Sequence, residues 1–189
     1  QIADIFSDIR VHAVKIGMIA SAEIADAVAT ALSPRRGLPV VVDPVMVAKG
    51  GASLLEKQAV EALTRRLLPL ATVLTPNLPE AEVLAGFPVH GEADMRRAAE
   101  KLAALGAKAV LMKGGHLEGD RVVDILFHDG RFDRFEDSRI QSGSTHGTGC
   151  TLASAIAAGV AQGMSLRDAV ARARAYVRAA ILAAPGLGR

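Results

Sequence analysis

The sequence has few aromatic residues and a single cysteine, with no tryptophan, one tyrosine and five phenylalanines. One cysteine precludes an internal disulfide and is typical of a reducing compartment, so we expect a cytoplasmic protein. The scarcity of aromatic stacking residues and the lack of a basic block argue against nucleic-acid binding. The apolar runs are too short to cross a bilayer, so no membrane partner is expected.

The residues that are present favour one globular domain. Half of the 189 residues are hydrophobic, and 22 basic residues are interspersed with 20 acidic ones, which gives a formal net charge of +2. A chain of this length and composition can bury a substantial core. We therefore interpret residues 1–189 as a single domain.

Alternating strand and helix patterns predict the fold class. The unbroken β-branched run Val40–Val42 indicates a strand buried on both faces, which is typical of a parallel sheet. Asp129-Gly130 between two alternating segments predicts a hairpin. The pattern predicts an α/β fold with a mostly parallel central sheet and helices on both faces. The predicted strands are Val11–Met18, Leu38–Pro44, Ala71–Thr75, Ala109–Met112, Val122–Phe127 and Arg131–Phe135, and the main predicted helices are Ile2–Ile9, a helix capped by Ser21, Leu54–Leu68, a short helix opened by Asn77-Leu78-Pro79-Glu80, Asp94–Leu105, Gly149–Gln162 and a helix capped by Ser165.

Polar residues follow several of these strands. Asp43 ends its strand, Lys113 ends another, and Asn77 with Glu80 follows a third. Parallel strands bring their carboxyl ends to one edge, where open α/β sheets place their sites. We expect these side chains and Met18 to converge at that edge.

A glycine-containing loop, Ser142–Cys150, runs directly into a predicted helix. Gly147 and Gly149 let backbone N–H groups turn toward one point, and the first N–H groups of a helix lack intrahelical partners. The helix dipole adds partial positive charge, so the loop is suited to bind a phosphate. Cys150 lies in the first helical turn, where the same field favours a thiolate. An ordinary helix start with glycines for close packing is the alternative interpretation.

Two common phosphate loops do not match this segment. A P-loop requires a lysine after its last glycine, and none follows Gly149. A dinucleotide fingerprint requires a third small residue at the position held by Leu152.

Taken together, five segments resemble the ribokinase-like small-molecule kinases, and most closely the hydroxymethylpyrimidine and phosphomethylpyrimidine kinases of thiamine biosynthesis. They occur in the order of that family and span nearly the whole chain. The resemblance implies a three-layer αβα sandwich, with family segments expected before Gln1 and after Arg189, so that the domain is incomplete at both ends. The segments are Lys15-Ile16-Gly17-Met18, Asp43-Pro44-Val45-Met46, Thr75-Pro76-Asn77-Leu78-Pro79-Glu80-Ala81, Met112-Lys113-Gly114-Gly115-His116 and Thr145-His146-Gly147-Thr148-Gly149-Cys150-Thr151.

The resemblance implies ATP-dependent phosphorylation of hydroxymethylpyrimidine and of its monophosphate. The catalytic residues would be Gly147, Thr148, Gly149 and Cys150, whose backbone N–H groups would hold the transferred phosphoryl group. Cys150 stands where most relatives carry an aspartate base; a buried structural cysteine is the alternative.

Other positions of the resemblance imply binding roles. Lys113 and Thr145 would contact ATP, and Asn77 and Glu80 would complete the nucleotide pocket. Asp43 and Glu80 would hold Mg²⁺, although a strand-end cap and a helix-start charge would also explain these two carboxylates. Met18 and Val45 would form apolar walls for the pyrimidine, or belong to the core.

Two alternative functions remain open from the residues. Pyridoxal kinase has the same fold and a similar alcohol substrate, although Cys150 and the Lys113–His116 segment favour the pyrimidine. A non-catalytic nucleotide-binding module is the second alternative, against which the retained Asp43, Glu80 and Lys113 argue. The resemblance also implies a homodimer.

Overall fold

The structure, a computed structural model, describes residues 1–46 and 57–185. Within these residues, six strands form one sheet in sequential order. The first four strands are parallel, and the last two form an antiparallel hairpin beside the fourth. The mostly parallel sheet is confirmed. Its strands are β1 (Val14–Ile16), β2 (Val40–Val42), β3 (Val73–Leu74), β4 (Ala109–Lys113), β5 (Arg121–His128) and β6 (Arg131–Ser138).

Helices connect and cover these strands, and several begin at the predicted caps. Ser21 accepts a hydrogen bond from the Ile24 amide at the start of α2, and Ser165 accepts one from Asp168 at the start of α7. Such caps satisfy backbone donors that the first turn leaves unpaired. The helices are α1 (Ile2–Asp8), α2 (Ala22–Leu32), α3 (Lys57–Ala62), α4 (Leu78–Ala85), α5 (Glu92–Ala104), α6 (Thr148–Ala161) and α7 (Leu166–Leu182).

The predicted continuous helix Leu54–Leu68 is wrong in part. Beyond α3 the chain continues as a π-helical turn, Leu63–Leu67, and then as a 3₁₀ turn, Leu68–Leu70. Pro69 cannot donate a backbone hydrogen bond and ends regular α-helix here. The start of that predicted helix, residues 54–56, lies outside the described residues.

Alternation along the strands divides the core into two layers. Val40 and Val42 face the side covered by α2, α3, α4 and α5. Val41 between them faces α6 and α7, together with Leu111 of β4. Because successive side chains on a strand point to opposite faces, one three-residue strand contributes to both layers. The three-layer αβα architecture is confirmed.

The edge strand β1 is shorter than the predicted Val11–Met18. The helix before it, α1, leaves Ile5 and Ile9 more than half exposed, although Phe6 packs against the core. A cavity of about 410 Å³ lies between α1, β1 and α2.

No helix in residues 1–46 or 57–185 has the length and apolar character that a bilayer crossing requires.

Candidate active site

Three of the predicted side chains meet at the carboxyl edge of the sheet. Lys113 Nζ, at the end of β4, lies 2.9 Å from Asp43 Oδ1, directly after β2. The same amine lies 4.0 Å from Glu80 Oε2 in the first turn of α4. All three side chains are largely buried, so their attraction is weakly screened by solvent. The expected convergence of these strand ends is observed.

Asp43 is almost completely buried, with 1% of its surface exposed. The Thr75 hydroxyl at the end of β3 donates to Oδ1 at 3.3 Å. Oδ2 has no hydrogen-bond donor within reach among the described residues. A buried carboxylate oxygen without a donor is energetically costly, so this atom is suited to interact with a cation or a water that a bound substrate brings.

Lys15 is a site residue that sequence reasoning did not single out. Its Nζ lies 3.8 Å from Asp43 Oδ2, and its side chain is 20% exposed. A Cβ at Gly17 would lie 2.6 Å from this amine, so the missing side chain of Gly17 leaves room for it. The signal was a lysine inside an otherwise apolar buried strand, where an unpaired amine would be disfavoured.

Asn77 and Glu80 form a capping box at the start of α4. The Asn77 side chain accepts from the Glu80 amide at 2.9 Å, and Glu80 Oε2 accepts from the Asn77 amide at 2.8 Å. Burial raises the pKa of Glu80, and the nearby charge of Lys113 opposes that shift only in part. Glu80 therefore has the structural role of a helix-start residue that was the alternative to metal binding. Its carboxylate also faces Lys113.

Asn77 also lies beside Lys113. The two residues form an isolated parallel bridge, between the segment after β3 and the last residue of β4. The Lys113 amide donates to the Pro76 carbonyl at 2.9 Å. The start of α4, which carries Glu80, is thus held beside Lys113 by backbone contacts.

The glycine loop leads into α6 as predicted. The helix begins at Thr148, one residue before the predicted start at Gly149. Gly147 is the N-cap and has φ 77°, a left-handed conformation that disfavours any residue with a Cβ. The hydroxyl of Thr148 donates to the Thr145 carbonyl, and that of Thr151 to the Gly147 carbonyl, both at 2.9 Å. The loop geometry is therefore fixed by its own side chains. Cys150 is the third residue of α6 and is exposed.

Lys113 connects the acidic pair to this loop. A Cβ at Gly149 would lie 3.3 Å from Lys113 Nζ, so the lysine amine touches the first turn of α6. The amine therefore stands between Asp43 and the free N–H groups at the start of the helix. An anion that bound at those N–H groups would also meet a cation.

The two residues predicted to form apolar walls for the pyrimidine have fewer contacts in the structure that point to a role than the acidic residues and Lys113 have. Met18 lies beyond β1 with 59% of its surface exposed, and Val45 is half-buried two residues after Asp43. The Val45 amide donates to the Asp43 carbonyl at 2.8 Å. Their contact with a pyrimidine stays a prediction.

Two carboxylates at this edge are candidate ligands for a magnesium ion. Among the described residues, no three His, Cys, Asp or Glu side chains come together as a metal cluster. Asp43 and Glu80 nevertheless supply two carboxylates beside one lysine, and Asp43 Oδ2 is buried without a donor. Mg²⁺ keeps several waters and takes one or two carboxylates together with substrate phosphates, so these residues fit it.

The loop after β4 is held by a second basic residue, Arg139. Its guanidinium donates to the carbonyls of Gly115, Leu117 and Gly119. Burial first, and then the charges of Lys113 and Arg139, lower the pKa of His116 in this loop.

Comparison with known proteins places these features in a family. The family model described as phosphomethylpyrimidine kinase matches residues 1–189. A thiamine biosynthesis bifunctional protein of Geobacter sulfurreducens is 55% identical over 189 residues, which are the whole of this chain and 39% of that protein. A hydroxymethylpyrimidine/phosphomethylpyrimidine kinase of Rhizobium meliloti is 50% identical over 188 residues, which are 99% of this chain and 70% of the relative.

Solved structures show the same fold. A phosphomethylpyrimidine kinase from Clostridium difficile 630 superposes with a TM-score of 0.83 at 42% identity, covering 95% of this chain and 73% of that one. Bacillus subtilis pyridoxal kinase in its ADP complex gives a TM-score of 0.88 at 38% identity, covering 95% and 68%. The chain therefore spans about two fifths of the bifunctional relative and about 70% of the others.

Proposed function

The chain belongs to the phosphomethylpyrimidine kinase family, and from this premise we propose that it transfers the terminal phosphoryl group of ATP to hydroxymethylpyrimidine and to its monophosphate. One observation carries the proposal. The Lys113 amine contacts the buried carboxylate of Asp43 and lies beside the first turn of α6, where a Cβ added at Gly149 would be 3.3 Å from it. A single cation thus joins an acidic pair suited to Mg²⁺ with a helix start suited to a phosphate.

Phosphoryl transfer depends mainly on positioning and on charge stabilisation. In the proposed reaction the bond between the terminal phosphorus of ATP and the departing ADP oxygen breaks, and a bond forms from that phosphorus to the acceptor oxygen. The N–H groups of Gly147, Thr148, Gly149 and Cys150 would hold the oxygens of the moving group. Lys113 and Thr145 would bind the nucleotide phosphates.

Asp43 and Glu80 would hold Mg²⁺, with Asn77 orienting Glu80 through the capping box. Bound Mg²⁺ would offset the negative charge of the phosphates. The Oδ2 atom of Asp43 supports this role, because it is buried and accepts no hydrogen bond among the described residues, with the Lys15 amine 3.8 Å away.

Cys150 is the proposed proton acceptor for the first phosphorylation. The hydroxyl proton of the pyrimidine would pass to Sγ as the phosphorus–oxygen bond forms. In the second phosphorylation the attacking oxygen belongs to a phosphate monoester, which is largely ionised at neutral pH because its second pKa is about 6. The second transfer therefore needs no base.

The number of phosphoryl groups transferred tests the proposal. Purified full-length protein is incubated with ATP and Mg²⁺, with hydroxymethylpyrimidine in one reaction and pyridoxal in another. Mass spectrometry then gives the number of phosphoryl groups on each product. We expect a pyrimidine diphosphate. Transfer to pyridoxal alone would favour the pyridoxal kinase alternative, which the ADP-bound neighbour motivates. ATP binding without any transfer would favour the non-catalytic module.

The apolar walls are part of the same proposal. Met18 and Val45 would sandwich the flat ring, and the Met18 side chain is 59% exposed, so a ligand can reach it. A homodimer in the cytoplasm is the proposed working form; sedimentation equilibrium at several protein concentrations, with and without ATP, measures the assembly state.

A further inference from the structure

A buried ion-pair network lies behind Lys113, on the side away from Asp43. Asp124 of β5 is the register partner of Lys113 in the antiparallel β4–β5 pair. Directly opposed residues point to the same face of a sheet, and here that face is covered by α6 and α7. Asp124 is therefore beside the root of the lysine side chain.

The carboxylate of Asp124 divides its two oxygens between the backbone and a helix. Oδ1 accepts a hydrogen bond from the Gly114 amide at 2.9 Å. Oδ2 pairs with Nη1 of Arg174 in α7, and both side chains are only 8% exposed. The other amino group of Arg174 donates to Asp137 Oδ2 at 2.7 Å. Arg174 is thus fixed between two carboxylates.

Gly114 is confined on its other side as well. A Cβ at this position would overlap the carbonyl oxygen of Val123 in β5. The peptide that follows Lys113 is therefore held by the hydrogen bond that the Gly114 amide donates to Asp124 and by close contact with the neighbouring strand. Its orientation sets where the lysine side chain leaves the backbone.

Stability alone is a weak explanation for this network. Replacing a buried ion pair by apolar residues is often neutral or stabilising, because desolvation of two charges offsets their attraction. Helix α7 also has another ionic attachment to the same hairpin, since Arg167 pairs with Asp133 of β6 at 2.9 Å on the surface. The Arg167–Asp133 pair joins the same two elements and has no contact with Gly114 among the described residues.

We propose that Asp124 and Arg174 are positioning residues for Lys113. Arg174 orients the Asp124 carboxylate, Asp124 fixes the Gly114 amide, and the fixed peptide directs the Lys113 amine to the junction of Asp43 and Gly149. The proposal rests on the proposed function, in which Lys113 binds the nucleotide phosphates.

The test is a double-mutant cycle on kcat/KM for ATP, with the variants Lys113→Ala, Asp124→Ala and the double variant. A misplacement of about 1 Å costs up to about 100-fold in rate, so we expect Asp124→Ala to lower kcat/KM for ATP between about 10- and 100-fold. In the Lys113→Ala background it should cost almost nothing, because the side chain that it positions is gone. Asp124→Asn keeps an oxygen for the Gly114 amide and should recover part of the loss.

Asp133→Asn is the matched control, since it breaks the surface pair between the same elements. It should leave kcat/KM for ATP unchanged within about twofold. Amide hydrogen exchange gives a readout that is independent of catalysis: Arg174→Lys should speed exchange at Gly114 more than at Leu111 of the preceding strand, β4.

The outcomes separate the two hypotheses. If Lys113→Ala impairs the enzyme while Asp124→Ala adds its full loss in both backgrounds, the network is structural only and the inference is wrong, while the proposed function stands. Unchanged Gly114 exchange in Arg174→Lys overturns the relay from α7. If Lys113→Ala retains wild-type kcat/KM for ATP, the proposed role of Lys113 fails first, and this inference falls with it.

Discussion

The two glycines of the phosphate loop are predicted to respond in opposite ways to an added methyl group. Gly147 has φ 77°, whereas Gly149 lies inside the first turn of α6 and is not among the glycines with positive φ. Alanine at 147 must adopt a left-handed conformation, which costs about 1–2 kcal/mol. Alanine at 149 removes glycine from a helix, which favours folding by up to about 1 kcal/mol.

Activity is expected to suffer more from the substitution at Gly149 than from that at Gly147. Of these two glycines, only Gly149 has Lys113 near the position of an added Cβ. A Cβ at Gly149 would lie 3.3 Å from Lys113 Nζ, which is closer than ordinary contact, so the amine must shift by a few tenths of an ångström. Gly149→Val adds an isopropyl group, two methyl groups more than alanine, and should displace the amine fully. Loss of a charged hydrogen bond is worth about 1.5–3 kcal/mol, which corresponds to about 10- to 150-fold in kcat/KM for ATP.

Thermal melting and steady-state kinetics on the same preparations test both parts. For a domain of this size, about 1 kcal/mol moves Tm by roughly 2–4 °C. We expect Gly147→Ala to melt lower, Gly149→Ala to melt at or above the wild-type temperature with reduced activity, and Gly149→Val to be folded and nearly inactive. Gly143→Ala, where a Cβ meets open space, is the control. Wild-type kcat/KM in folded Gly149→Val would refute the reasoning.

Three further substitutions test other parts of the site. Asp43→Asn should raise the Mg²⁺ concentration for half-maximal activity by about 10- to 100-fold, with partial rescue at excess metal; an unchanged titration curve would contradict the acidic-pair assignment. Cys150→Ala should slow phosphorylation of hydroxymethylpyrimidine by about 100-fold or more but leave phosphorylation of its monophosphate nearly unaffected, as measured by separate initial rates; equal losses would argue against a base. His116→Gln should be more resistant to acid than the wild type. The fold lowers the pKa of His116 from its ordinary 6.5, so the wild-type protein loses stability as pH falls below that value. The melting curves of variant and wild type should therefore coincide above pH 7.5, and the wild type should melt lower than the variant below pH 6.5.

The succession of strands and helices and the approximate location of the site could be predicted because each depends on local pattern. A β-branched run followed by Asp43 marks a buried strand and its carboxyl edge without knowledge of its neighbours. The glycine spacing before α6 likewise predicts a helix start that can bind a phosphate.

Contacts between distant segments could not be predicted in the same way. The approach of Lys15 to Asp43 depends on the β1–β2 register, and the contact of Lys113 with Gly149 depends on how α6 packs over the sheet. Single-residue patterns carry no information about either distance. The π turn after α3 also has no marker except Pro69, because tertiary packing overrides helix propensity there.

The sequential strand order described above has a consequence for synthesis of the protein. One face of the sheet is covered by helices that lie between successive strands, so it closes as the chain leaves the ribosome. The opposite face, which includes Val41, Val73 and Leu111, is covered within the described residues by α6 and α7, which are translated after all six strands. A nascent chain that stops before residue 148 therefore presents a bare apolar surface to chaperones and has no helix start at which to bind a phosphate. Docking of the last two helices closes the core and completes the site in the same event.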